Sequence, residues 1–170
     1  CGRAEDGTVF IATELVAGTP LDVLLQKEAP FDLQRATDLI LTLAQGLSAF
    51  HDGGTLHGDL RPSSIMVVDN QGQEEPRILD GGQALLSGSF QRAAVLSIQG
   101  EIYGDPRYMA PEQAGGEAPT PASDLFSLGI IWCEMLWAQV PMADKNRQVM
   151  LSRRRSSPIQ LPLSLRGDLQ

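Results

Sequence analysis

The segment from Leu125 to Ala138 is apolar on nearly every side and is broken only by Ser127 and Glu134. It falls short of the roughly 20 apolar residues that cross a bilayer, so no transmembrane helix follows from it. A helix without a polar face must instead be wrapped by protein, and the rest of the chain has to supply the wrapping. The chain is long enough, because a domain of 170 residues buries roughly 70% of the surface its unfolded chain exposes, and 42% of the residues are hydrophobic. One domain with a real core and no covalent staples is the expectation. Cys1 at the terminus and Cys133 inside the apolar run do not make a disulfide framework, which points to a reducing compartment, the cytoplasm. No charged-then-apolar leader is present, and a start on Cys rather than Met reads as a processed chain or a fragment.

Charge narrows the partners. The net charge is −8, and it is unevenly spread. Residues 145 to 170 hold six basic groups (Lys145, Arg147, Arg153, Arg154, Arg155 and Arg166) against Asp168 alone, which leaves the first 144 residues strongly acidic. That body repels nucleic acid, so no nucleic-acid partner is expected. The run Arg153-Arg154-Arg155 has no interleaved aromatics and reads as a solvated face.

Periodicity gives the elements. Thr8 to Leu15 is β-branched and apolar and reads as a strand running into the turn signal Ala17-Gly18-Thr19-Pro20, followed by a short connector. Asp32 then looks like an N-cap. Leu33, Ala36, Ile40, Leu43, Leu47 and Phe50 recur at three- and four-residue steps, a helix of about five turns that stops at Asp52-Gly53-Gly54. Ile65 to Val68 and Arg77 to Leu79 flank the polar segment 69–76 and read as a small hairpin. Residues 81 to 105 carry glycines at 81, 82, 88, 100 and 104 without a period, a long irregular loop. Ser123 or Asp124 caps the buried helix, Leu125 to Trp137, and beyond Pro141 the pattern weakens.

The chemistry sits between the first helix and the hairpin. There the chain reads His57-Gly58-Asp59-Leu60-Arg61-Pro62-Ser63-Ser64-Ile65-Met66, and the hairpin carries Asp80-Gly81-Gly82 at its far end. One compact unit therefore presents two carboxylates. That pairing suits phosphoryl transfer, in which one acid takes a hydroxyl proton and the other holds the Mg²⁺ that neutralises phosphate charge. Each Asp taken alone is commoner as a cap or turn former.

The order of motifs goes further. The first segment resembles the H-R-D-L-x-x-x-N catalytic loop of protein kinases, and Asp80-Gly81-Gly82 stands at the place of D-F-G. Gly104-Asp105-Pro106-Arg107-Tyr108-Met109-Ala110-Pro111-Glu112 resembles the family's substrate loop and A-P-E motif. Asp124-Leu125-Phe126-Ser127-Leu128-Gly129 resembles the start of its buried central helix. Small-molecule phosphotransferases of the aminoglycoside and choline kinase type share the H-G-D-L loop, and Gly58 matches them, but they lack the last two segments.

The resemblance to bacterial-type Ser/Thr protein kinases implies a mainly α (α+β) fold, the helical C-terminal lobe of that family with a small β-hairpin. Residues 1–18 would be the last strand of the N-terminal lobe and the hinge, 19–144 the lobe's core, and 145–170 a basic, partly ordered segment. It implies ATP and Mg²⁺ as cofactors, a protein substrate, and an N-terminal lobe as the missing partner. Thr13 would be the gatekeeper, Glu14 and Val16 would meet adenine through their backbone, and Met66 would floor its pocket. Asp59 would be the base and Arg61 the cation beside the transferring phosphate. Asp80 and Ser64 would bind the metal, and Asp105, Met109, Ala110, Pro111 and Glu112 would form the substrate loop. His57 and Asp124 would be structural.

Several positions depart from the family pattern. Ser64 stands where the metal-binding Asn is usual, and Gly81 removes the large apolar side chain of D-F-G. Asp105 replaces the usual Thr and puts a negative charge beside Asp59, either to pair with Arg61 or simply to repel phosphate, and Gly58 removes the Arg that clamps an activation-loop phosphate. No G-x-G-x-x-G strand pair and no V-A-I-K-like lysine occur, and the Arg that normally pairs with the A-P-E glutamate is absent, so Glu112 is expected to lack that partner. This chain alone is therefore expected to be inactive. A pseudokinase acting as a binding or regulatory module is the alternative reading, and a small-molecule phosphotransferase the second.

Overall fold

Two long helices and a small sheet share one core in the computed structural model, which describes residues 2–10, 12–79 and 104–159. Helix α1 spans Leu21–Glu28 and α2 spans Leu33–Asp52. Asp32 caps α2, its Oδ1 accepting from the Arg35 N–H at 3.0 Å, and the helix ends at Gly53. Ala36, Leu39, Leu43 and Leu47 form its inner line. Leu33, expected on that face, is 64% exposed. It stands about 60° round the helix from Ala36 on the outer side, and Leu39 takes the corresponding place on the inner one.

The polar segment after α2 is a ladder and not a loop. After the 3₁₀ turn Pro62–Ser64, strand β4 (Ile65–Asn70) pairs antiparallel with β5 (Gln73–Ile78) from Ile65↔Ile78 to Asn70↔Gln73. Gln71 and Gly72 make the two-residue connection with φ of 58° and 87°, the primed turn that matches strand twist. Strand β3 (Thr19–Pro20) completes the sheet beside β4, in the order β3-β4-β5.

The N-terminal strand is shorter than its composition suggests. Strand β1 (Gly2–Arg3) pairs with β2 (Val9–Phe10), while residues 12–17 have no ladder partner among the described residues. Apolar character alone does not make a strand: Leu15 is 93% exposed and its backbone pairs with no strand among the described residues.

Helix α3 is the single turn Pro111–Ala114, and α4 spans Pro121–Trp137. The cap of α4 is Thr120, not Ser123 or Asp124. Thr120 Oγ1 accepts from the Ser123 N–H and Ser123 Oγ accepts from the Thr120 N–H, with Pro121 at the first helical position. Leu128, Ile130, Ile131 and Met135 join Leu39, Leu43 and Leu47 in the core, although Leu125 is 53% exposed. Helix α5 spans Arg147–Ser156, capped by Asn146 Oδ1. It packs against α3 through a face that contains Met150, Leu151 and Arg154. The arginine run is thus split: Arg153 and Arg155 are exposed and Arg154 is buried.

Candidate active site

The segment between α2 and β4 is held by one carboxylate. Asp124, in the first turn of α4 and 1% exposed, accepts the His57 N–H on Oδ2 at 2.9 Å and the Gly58 N–H on Oδ1 at 2.8 Å. His51, from the last turn of α2, donates Nε2–H to the same Oδ2 at 2.9 Å. Three donors from two segments therefore converge on a side chain that the buried helix brings to the centre.

His57 fixes the next level. Its Nε2–H donates to the Leu79 carbonyl at 3.0 Å, and Nδ1 accepts the Asp59 N–H at 3.3 Å, an assignment of the ring proton that follows from the carbonyl being an acceptor only. The ring ties the loop to the end of β5, and the Leu79 N–H returns to the Ser64 carbonyl at 2.8 Å. Asp80, the next residue, lies outside the described residues, as do Gly81 and Gly82.

Asp59 is delivered by this frame with its side chain 44% exposed, and Arg61 Nε stands 3.7 Å from Oδ2. Burial of its surroundings pushes the Asp59 carboxyl above the usual value, against the Arg61 charge and the Asp105 N–H, which hold it down. Gly104 presses on the same group, since a Cβ there would sit 3.2 Å from Asp59 Oδ1, and its φ is 105°.

The partner of Asp105 is Arg107, and Arg61 goes to Asp59. Arg107 donates Nη2 to Asp105 Oδ2 at 2.6 Å and Nε to both carboxylate oxygens at 3.1 and 3.0 Å. Burial pushes the Asp105 carboxyl up, but these bonds outweigh it and keep it below the usual range. The negative charge expected beside Asp59 is therefore already paired. The Arg107 guanidinium also lies over the Tyr108 ring, 5.3 Å from its centre.

Met109 and Ala110 are buried, Pro111 is exposed, and Glu112 is half-buried. Glu112 instead meets the Ser123 hydroxyl, which donates to Oε1. Gln113, which the sequence reading passed over, accepts the Ala110 N–H at 3.2 Å and donates Nε2–H to the Gly58 carbonyl at 2.8 Å, tying α3 to the loop. Its signal was present: a Gln three residues after the cap is the capping-box position. Arg61, Pro62, Ser63, Arg107, Tyr108 and Glu134 line one side of an open cavity of about 290 Å³ next to this loop.

Met66 meets the residues that follow Glu14 and Val16 in the chain, Gly18 and Pro20. Thr19 pairs with Val67 and Pro20 with Met66. Gly18 is obligatory there, since a Cβ would lie 2.5 Å from the Val67 carbonyl oxygen and 2.8 Å from Met66 Cγ. Thr13 and Glu14 are exposed and Val16 is half-buried.

Of the two residues expected to hold the metal, only Ser64 lies among the described residues. Ser64 is 5% exposed; its hydroxyl donates to the Arg61 carbonyl at 2.8 Å and accepts the Arg61 N–H at 3.1 Å. It closes the 3₁₀ turn and has little left to offer an ion. Among the described residues no group of three His, Cys, Asp or Glu is placed to hold a metal.

Comparison with known proteins agrees with this geometry. The profile of the protein kinase domain matches residues 3–164. The serine/threonine-protein kinase pkn3 of Myxococcus xanthus is 36% identical over 141 residues, covering 82% of this chain and 26% of that protein. PknA of Mycobacterium tuberculosis is 32% identical over 164 residues, covering 96% of this chain and 36% of its own length. PknK of the same species is 37% identical over 128 residues, 75% of this chain and 11% of that protein. The chain thus spans about a third or less of these relatives, and no helix among its described residues is long and apolar enough to cross a membrane. With a half-exposed aspartate on a loop that a buried helix holds by its backbone, and with a match along nearly its whole length, the chain belongs to the protein kinase domain family.

Proposed function

We propose that the protein containing this chain transfers the γ-phosphate of ATP to a Ser or Thr hydroxyl of a protein substrate, with Asp59 orienting the hydroxyl and taking its proton. The observation that carries the reading is Asp59 itself. It is a half-exposed carboxylate with a raised pKa on an immobilised loop, and Arg61 beside it can meet the transferring phosphate. Glu14, Val16 and Met66 border the place for adenine, and Mg²⁺ would supply charge neutralisation at the phosphates through Asp80. Asp105, Met109, Ala110, Pro111 and Glu112 back the protein substrate. The 170 residues alone transfer nothing in this reading, because they carry neither a phosphate-covering glycine loop nor its lysine.

The test is phosphate transfer from radiolabelled ATP by the full-length protein and by Asp59→Asn. A loss of at least about 100-fold in kcat is expected, the scale of a positioned base. Activity in the variant equal to the parent's overturns the assignment.

A second reading, a pseudokinase that binds and regulates without turnover, draws support from the occupied Ser64 hydroxyl. Nucleotide binding by the full-length protein without any transfer that Asp59→Asn abolishes selects it.

A further inference from the structure

Helix α5 carries two arginines seven residues apart, Arg147 and Arg154, which places them on one face. Both reach the loop that borders Asp59. Arg147 donates Nη1–H to the Gly104 carbonyl at 3.0 Å. Arg154 donates Nε–H to the Pro106 carbonyl at 3.3 Å, and Nη2–H to the carbonyls of Arg107 and, at 3.0 Å, Pro141. Its guanidinium lies 5.5 Å from the centre of the Phe126 ring.

Arg154 is 3% exposed, and among the described residues its Nη1 has no hydrogen-bond partner and no carboxylate stands within ion-pair distance. Burying a cation in this way is a poor route to stability, because desolvation is repaid only by carbonyl dipoles. What the guanidinium does supply is geometry: a rigid planar fork that fixes carbonyls from two separate segments at once.

We propose that α5 is a positioning element for the loop 104–107, with Arg154 and Arg147 clamping its carbonyls so that its other edge is held against Asp59. That other edge is specific. Gly104 packs on Asp59 Oδ1, the neighbouring Asp105 N–H helps hold the Asp59 carboxyl down, and Asp105 and Arg107 pair with each other in the same loop. A peptide strand flips no amide while its carbonyls are tied, so the clamp fixes which way the Asp105 N–H points. Arg154 touches neither substrate nor phosphate. It acts through the loop, and the catalytic meaning of that action rests on the function proposed above.

The experiment uses the full-length protein and two readouts, only one of which needs turnover. Hydrogen exchange of the peptide covering residues 104–109 is compared with that of a peptide within α2. In Arg154→Met the loop amides are expected to exchange on the order of tenfold faster while α2 is unchanged, and Arg154→Lys recovers part of the protection. Arg147→Gln, at an exposed position that does not threaten the fold, gives the same pattern with smaller size. In the kinetic readout, the KM for the protein substrate rises on the order of tenfold in Arg154→Met, with the KM for ATP unchanged. Loop exchange that equals the parent's in Arg147→Gln and Arg154→Lys overturns the proposal, and so does exchange that rises equally in the loop and in α2. A parent protein without transferase activity removes the function and leaves the exchange result to decide the clamp.

Discussion

Asp124 organises the reactive loop because it reaches three donors with two oxygens from the first turn of a helix that has no other place to go than the core. Asp124→Ala leaves the His57 and Gly58 N–H groups and the His51 ring without an acceptor, and a loss of about 2–4 kcal/mol of stability is expected from orphaned buried donors. Urea unfolding at neutral pH measures it, and Asp124→Asn should lie between the two, since it keeps one acceptor oxygen. Asp59 works in the opposite sense. Its carboxyl is raised in the folded state, so folding favours the protonated form. That contribution is complete below the unfolded value of about 3.9 and is lost as pH rises through the folded one. Asp59→Asn, which carries no charge, is therefore expected to melt at or above the parent's temperature at pH 7, with the difference closing as pH falls toward about 4. A variant that is less stable than the parent at pH 7 contradicts the sign.

Among the elements, α1, α2 and β5 meet at Arg35. Its guanidinium pairs bidentately with Glu74 at 2.7 and 2.6 Å, donates to Glu28 at 2.8 Å, and lies 4.1 Å from the centre of the Phe31 ring. Arg35→Met should lower stability by about 1–2 kcal/mol, a modest figure because the group is a quarter exposed. The midpoint of denaturant unfolding should move with its slope unchanged. The elements that could be read from the sequence were those whose signal is local: α2 from its cap and period, α4 from its nearly unbroken apolar run, and the β4–β5 hairpin from two short runs flanking a polar segment. Helices α1 and α5 lacked one. Helix α1 has Pro20 at its cap, with no side-chain bond, and only two turns over which a period can show. Helix α5 hides its period, because one of its buried positions is an arginine. The strand read at Thr8 to Leu15 came out shorter for the converse reason, an apolar run that beyond Val9–Phe10 has no ladder partner among the described residues.

For the whole molecule, the order of motifs along the chain was enough to indicate the family and to bring Asp59, Arg61 and His57 into one loop. It could not show which distant groups meet. The Glu112–Ser123 bond and the Gln113 tie to Gly58 depend on how segments cross, and the two readings offered for Asp105, a pair with Arg61 or repulsion of phosphate, both passed over Arg107 two residues on. The C-terminal arginines were misjudged in the same way, as one solvated face. Arg153 pairs with Asp144 at 3.3 Å and Arg154 is buried, so the described part of the basic end is less basic as a surface than its composition implies. Exposed ion pairs fade as salt accumulates around them, within a Debye length of about 10 Å at 0.1 M. The Arg154 bonds face no such atmosphere, since they join a dry guanidinium to neutral carbonyls. The part of the chain that looks most electrostatic on paper is consequently the part whose grip on the loop depends least on ionic strength.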